Sequence, residues 1–197
     1  RGVNRDCDFF TREQPSEMDV SMPFERRRPW EACMTIGEYW QYSANDTQFK
    51  SSDELIRILV DVVSRGGNLL LNVGPTPEGI IPAATVERMR AIGEWLGRNG
   101  ESIRGCAPSP FGALPVGKCT TQGNRLYIHL DALPEGPIVL PGLQNTIIKA
   151  TLLATGEELG IDNKAKSIAP PAALPDCSVT VVAVELDTDP VVQQLRH

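Results

Sequence analysis

The chain has 197 residues, 41% hydrophobic and 22% charged, a balance that excludes both disorder and collagen-like repeats. Its net charge of −6, shared evenly between residues 1–105 and 106–197, argues against nucleic acid as a partner. The longest apolar runs, 68–73 and 179–184, fall far short of the roughly 20 residues that a membrane span needs. Arg1 opens the chain without a methionine, a basic n-region or an apolar h-region, so neither a translation start nor a signal peptide is visible, and the chain reads as an internal fragment.

Seventeen glycines and sixteen prolines predict short elements joined by many turns. Residues 1–29 lack sustained periodicity and carry Pro15, Pro23, Pro29 and three consecutive arginines, which predicts one long ordered loop. A short apolar strand is expected over 32–36. Ser51 and Glu54 have the spacing of a capping box, and Leu55, Ile56, Leu59, Val60 and Val63 then recur on one helical face until Gly66-Gly67 ends it. The run 68–73 is apolar at its centre and stops at Gly74-Pro75, as a parallel strand buried on both faces would. Pro82 begins a second helix with Val86, Met89, Ile92 and Leu96 facing inward and Gly100 past its end.

Strand, helix, strand, helix is the α/β pattern. Two such units cannot close a (β/α)8 barrel, so a barrel parent would have six of its eight strands upstream. From Cys106 the pattern changes. Pro108, Pro110 and Pro115 make a linker, and short strands are expected over 125–130, 138–140, 147–153 and 178–186. The sequence therefore predicts two domains: 1–105, the last βα units of an incomplete (β/α)8-like barrel, and 106–197, an all-β sandwich.

Five scattered cysteines form no CxxC pair and no disulfide framework, and they read as small buried side chains. His129 and the terminal His197 are the two histidines; His129 alternates with Ile128 and Leu130 in a strand and reads as surface-facing. No metal or organic cofactor is expected. Chemistry is left to carboxylates, arginines and aromatics, and these crowd into the first 42 residues: Arg1, Asp8, Phe9, Phe10, Glu13, Trp30, Glu31, Tyr39, Trp40 and Tyr42. Carboxylates beside aromatic platforms suit a sugar site, where rings stack on aromatic faces and an apolar wall raises the pKa of a proton-donating carboxyl. A solvated loop whose tryptophans fill the core accounts for the same composition. Gly66-Gly67-Asn68 is a weak phosphate-loop signal, since it precedes a strand and no Lys-Ser/Thr follows.

Specific strings go further. Trp30-Glu31-Ala32-Cys33-Met34-Thr35-Ile36, then Trp40-Gln41-Tyr42, and then Gly66-Gly67-Asn68-Leu69-Leu70-Leu71-Asn72-Val73-Gly74-Pro75 closely resemble the C-terminal part of the catalytic domain of α-L-fucosidases, glycoside hydrolase family 29. Ile92-Gly93-Glu94-Trp95-Leu96 and Asn99-Gly100-Glu101 extend the likeness through the last helix, and Asn124-Arg125-Leu126-Tyr127 with Val139-Leu140-Pro141-Gly142-Leu143 extend it into the β module.

The resemblance implies an exo-acting retaining hydrolase that releases terminal α-linked L-fucose from glycans, using an aspartate nucleophile and a separate acid/base carboxylate. The family's nucleophile belongs to a Trp-x-Asp-Gly type string. None occurs here, so the nucleophile is expected upstream and the fragment alone is expected to be inactive. Glu31, in the Trp-Glu pair, is the first expectation for the acid/base, on a loop folded over the site with Trp30 as its apolar wall; Glu13 is the runner-up. Arg1 resembles the end of an Asn-Asp-Arg string whose arginine contacts fucose. Trp40 would line the pocket near the fucose methyl or else pack in the core, and Asn72 would brace the site or make a turn. The implied partner is a fucosylated glycan, and the family suggests a secreted, periplasmic or lysosome-like location. A non-catalytic carbohydrate-binding or structural protein retaining the fold is the alternative from another class.

Overall fold

Ser51 starts the first helix as its spacing predicts. Its side chain accepts from the Glu54 amide, and α1 (Ser52–Ser64) follows, with Leu55, Ile56, Val60, Val62 and Val63 buried. The computed structural model, which describes residues 8–14, 29–111 and 114–193, sets this helix between two sheets.

On one side lies a three-stranded parallel sheet in the order β1 (Phe10–Glu13), β2 (Trp30–Thr35), β3 (Gly67–Asn72). Side chains alternate between the faces of a strand, and Trp30, Ala32 and Met34 all pack against Val62 of α1, with Phe10, Ile58, Leu69 and Leu71 around them. After β3 comes α2 (Ala83–Asn99), with Pro82 at its N-cap, Gly100 at its C-cap, and Ile92 and Trp95 buried. A 3-10 turn (Gly100–Ser102) ends this half.

The rest is antiparallel. β4 (Ala107–Pro108), β5 (Gly117–Gln122), β6 (Arg125–Leu130), β8 (Ile147–Leu152) and β11 (Thr180–Leu186) form a sheet ordered β4-β5-β6-β11-β8. β7 (Ile138–Val139), β9 (Ile161–Asp162) and β10 (Ser167–Ile168) form a second one, ordered β7-β10-β9. Leu126, Ile128, Leu130, Ile138, Leu140, Leu152, Ile168, Val182 and Val184 fill the core between them. The outer face of the five-stranded sheet meets the helices: Tyr127, Val179 and Val181 pack with Ile36, Leu55, Ile56, Val60, Ile92 and Trp95. The Trp95 indole donates to the Val179 carbonyl at 2.7 Å. One apolar cluster thus draws on residues from both sides of position 105.

Several sequence expectations change. The loop expected over 1–29 contains β1, four residues whose strand character comes from parallel pairing with β2 and is too short to show a period. The strand expected over 32–36 covers Trp30–Thr35, so Glu31 lies inside a strand and not on a covering loop. Three parallel strands are present where two were expected. Strand β3 is covered by α1 on one face only, and Leu70 on the other is 46% exposed. Met89 is exposed as well. The proline linker holds β4, and β5 went unseen because Gly-Lys-Cys-Thr-Thr-Gln has no apolar alternation; its ladder with β6 supplies the order. His129 is fully buried, because the sheet face expected to meet solvent meets the helices. Of the cysteines, Cys119 is buried, Cys33 and Cys106 are half-buried, and Cys177 is exposed; Cys7 lies outside the described residues.

Gly66-Gly67 has a structural use. Gly66 turns the chain out of α1 at φ +79°, and a Cβ on Gly67 would sit 2.4 Å from the Trp30 ring that crosses it in register. Gly67→Ala should therefore destabilise the protein by about 1–3 kcal/mol, the usual cost of overpacking. Gly93→Ala, in α2 with no heavy atom within 4 Å of the added carbon, should stabilise it by about 0.5–1 kcal/mol. Urea unfolding of the two variants beside the parent checks both signs.

Candidate active site

The face of the parallel sheet turned away from α1 carries polar side chains at every second position of β1 and β2. Register puts Thr11, Glu31 and Asn68 in one row, Glu13, Cys33 and Leu70 in the next, and Thr35 and Asn72 in the last, at the C-terminal edge. The Thr11 hydroxyl donates to Glu31 Oε1 at 3.3 Å, and the Cys33 thiol donates to the same oxygen at 3.5 Å. Burial raises the Cys33 pKa, and the bond to Glu31 and the negative charges of Glu31 and Glu13 add to the rise.

Glu31 and Glu13 differ in level. Glu31 is the second residue of β2, four residues below the edge at Thr35; Glu13 is the last residue of β1, one row higher. At about 3.3 Å per residue, Glu31 is roughly 13 Å from that edge along the strand. Trp30, the expected wall for Glu31, points to the opposite face and packs on α1, since adjacent strand residues alternate.

The C-terminal edge is tied together by hydrogen bonds. Gln14 Nε2 donates to the Thr35 hydroxyl at 2.7 Å, which donates in turn to the Gly37 carbonyl at 2.6 Å. Asn72 Nδ2 donates to the Trp40 carbonyl at 2.6 Å, so its amide braces the loop that follows β2. Trp40 is 36% exposed on that loop. Arg1 lies outside the described residues. The structure therefore brings Thr35, Asn72 and the Trp40 loop to one edge, with Glu13 one row below that edge and Glu31 two rows below it. Sequence reading missed Gln14 and Thr35, although polar side chains at 31, 33 and 35 carried a period-two signal.

Gly74 lets the loop after β3 press on the Trp40 loop, since a Cβ there would come within 2.9 Å of the Tyr42 amide nitrogen. Between the two loops is a cleft of about 240 Å³. Among the described residues no group of His, Cys, Asp or Glu is arranged to hold a metal ion, and no helix is long and apolar enough to cross a membrane.

Away from this edge, two polar networks join the helices to the five-stranded sheet. The Tyr127 hydroxyl donates to Glu101 at 2.6 Å and Arg125 pairs with the same oxygen; together they hold the Glu101 carboxyl below its usual range, with Tyr127 the larger influence. Thr120 uses its hydroxyl hydrogen on the Ser102 carbonyl at 2.7 Å, so it accepts from His129 Nε2 at 3.1 Å. Nδ1 of His129 has no partner among the described residues.

A parallel sheet packed on a helix with a polar C-terminal edge is an α/β arrangement, and comparison with known proteins narrows it. A family model described as alpha-L-fucosidase matches residues 3–101, and the chain belongs to that family. It is 38% identical over 141 residues to the alpha-L-fucosidase of Dictyostelium discoideum, covering 68% of this chain and 30% of that protein. It is 49% identical over 77 residues to the plasma alpha-L-fucosidase of Rattus norvegicus, covering 38% of this chain and 17% of that protein. Among solved structures, alpha-L-fucosidase isoenzyme 1 from Paenibacillus thiaminolyticus superposes with a TM-score of 0.80 at 35% identity, covering 91% of this chain and 45% of that one. The chain spans under half the length of these relatives.

Burial pushes the His129 pKa down to about 3. The unfolded chain takes up a proton near pH 6.5 that the folded one refuses until about 3, so stability should fall as pH drops through that window, by up to about 1.4 kcal/mol per pH unit. Glu101, depressed when folded, should add to the loss as pH falls through the carboxylate range. Urea midpoints at pH 7, 5.5 and 4.5 should decline, and His129→Leu should flatten the decline between 6.5 and 4.5.

Proposed function

We propose that this chain is the C-terminal part of an exo-acting, retaining α-L-fucosidase. In this reading residues 1–105 are the last units of a (β/α)8-like barrel begun upstream, and 106–197 form a β-sandwich domain. The observation that carries it is the gathering of Thr35, Asn72 and the Trp40 loop at the C-terminal edge of three parallel strands, with Glu13 ending its own strand one row below, on the side where barrel enzymes build their sites, in a chain of this family. The open polar face would line the barrel interior once upstream strands closed it. The substrate is a fucosylated glycan, with fucose bound against Trp40.

The chemistry is double displacement. An upstream aspartate attacks C1 of fucose while a carboxylic acid gives its proton to the departing glycosidic oxygen. The same group, now a carboxylate, then takes a proton from the water that attacks C1, breaking the bond to the aspartate and releasing fucose. A relative from Bacteroides thetaiotaomicron, 26% identical with a TM-score of 0.75, has been captured as a trapped covalent intermediate in complex with 2-fluoro-fucosyl fluoride, using a glutamate-to-glutamine variant, which supports this route.

Strand register supports Glu13 as the acid/base over Glu31. A proton donor must reach the glycosidic oxygen at the mouth of the barrel, and Glu13 ends its strand on that side. Glu31, bonded to Thr11 and Cys33 lower on the sheet, serves as a positioning residue for the face.

In the full-length protein, Glu13→Ala should lower hydrolysis of a natural glycan by a factor on the order of 10² or more, the range of general acid–base catalysis. Azide, which needs no general base, should restore turnover of an activated aryl fucoside and yield the β-fucosyl azide. Glu31→Ala showing that rescue, with Glu13→Ala like wild type, would return the role to Glu31.

Residues 1–197 alone, lacking the nucleophile, should not turn over an aryl α-L-fucoside. Activity that survives purification and disappears on mutating a carboxylate of this segment would place the nucleophile within it.

A further inference from the structure

We propose that the cleft between the loop after β2 and the loop after β3 is the subsite for the neutral pyranose that carries the fucose, an inference that rests on the fucosidase reading. Its walls include Tyr39, Tyr42, Ser43, Asp46, Asn72 and Thr85, and its volume is about 240 Å³. Both tyrosines stay more than a third exposed, so their rings are free to take a ligand's weakly polar C–H face, as pyranoses offer.

The polar wall is held in place. Asp46 Oδ1 accepts from the Glu38 amide at 3.4 Å and the Gln48 amide at 3.2 Å, and a Cβ on Gly37 would fall 2.2 Å from Asp46 Oδ2, so the chain leaves room for this carboxylate by having glycine there. A fixed carboxylate accepts hydrogen bonds from sugar hydroxyls and repels anionic sugars, which selects a neutral ring. Asn72 lines the cleft and also holds the Trp40 carbonyl, so cleft and fucose wall share one support.

The chemistry of fucose gives the direction. C1 and C5 are both bonded to the ring oxygen, so a wall that touches the methyl on C5 lies along the same edge of the sugar as C1. A cleft flanking Trp40, lined by Tyr39 and Gln41 on either side of it in sequence, is where that substituent extends.

The test compares kcat/KM of the full-length enzyme for a neutral fucosyl-hexose disaccharide with that for α-L-fucosyl fluoride, whose leaving group is too small to enter the cleft. Tyr42→Ala removes a wall, and Ala44→Trp, at an exposed position on the lining, plugs the space. Each should lower the disaccharide-to-fluoride ratio by roughly tenfold to a hundredfold. An unchanged ratio in both variants, including equal loss on both substrates, overturns the subsite while the fucosidase reading stands. A wild-type enzyme that releases no fluoride overturns the fucosidase reading, and the subsite falls with it.

Discussion

The parallel pairing of β2 with β3 governs the architecture on both faces of the sheet. Trp30 stands against Gly67, and the missing side chain at 67 lets the indole lie flat, donate to the Arg65 carbonyl at 3.3 Å and cover Val62 of α1. A slip of one residue would exchange the two faces of β2 and drive Glu31, Cys33 and Thr35 into the apolar layer. The register therefore holds α1 on one side and reserves the other for polar side chains.

The helices carry the second constraint. They are apolar on the side of the parallel sheet and also on the side of the five-stranded sheet, where Tyr127, Val179 and Val181 meet them. Polar groups caught in this layer are mostly paired. Asp176, almost fully buried, takes Arg98 at 2.9 Å and Asn99 at 3.1 Å, and the Ser178 hydroxyl donates to Asp53 on α1. Removing Arg98 or Asn99 would leave the buried Asp176 carboxylate short of a partner, at a large cost in stability, so these contacts hold the loop before β11 to the end of α2. Two exceptions among the described residues are Asn99 Oδ1 and His129 Nδ1, each buried without a partner.

Function depends on where the strands stop. Loops after β2 and β3 leave the sheet side by side, and Gly74 and Asn72 bind them into one rim that carries exposed aromatic side chains. The Asn72 amide and the close approach at Gly74 tie the two loops to each other, while Tyr39, Trp40 and Tyr42 stay exposed on them.

Local order was legible in the residues. Ser51 and Glu54 announce a cap, Leu55 to Val63 recur at helical spacing, and Pro82 and Gly100 bound α2, because each feature depends on neighbours within one turn of chain. The Trp30–Ile36 and Gly66–Pro75 strings carried the family for the same reason, being contiguous. The tertiary structure decided the rest. Residues 10–13 become a strand only by pairing across some twenty positions with β2, and β5 only by pairing with β6. The levels of Glu13 and Glu31 depend on the register in which β1 pairs with β2, which neither strand's own residues state. His129 is buried because a helix layer formed mainly by residues 52–99 covers its sheet face, and alternation within a strand reports two faces without saying what covers either.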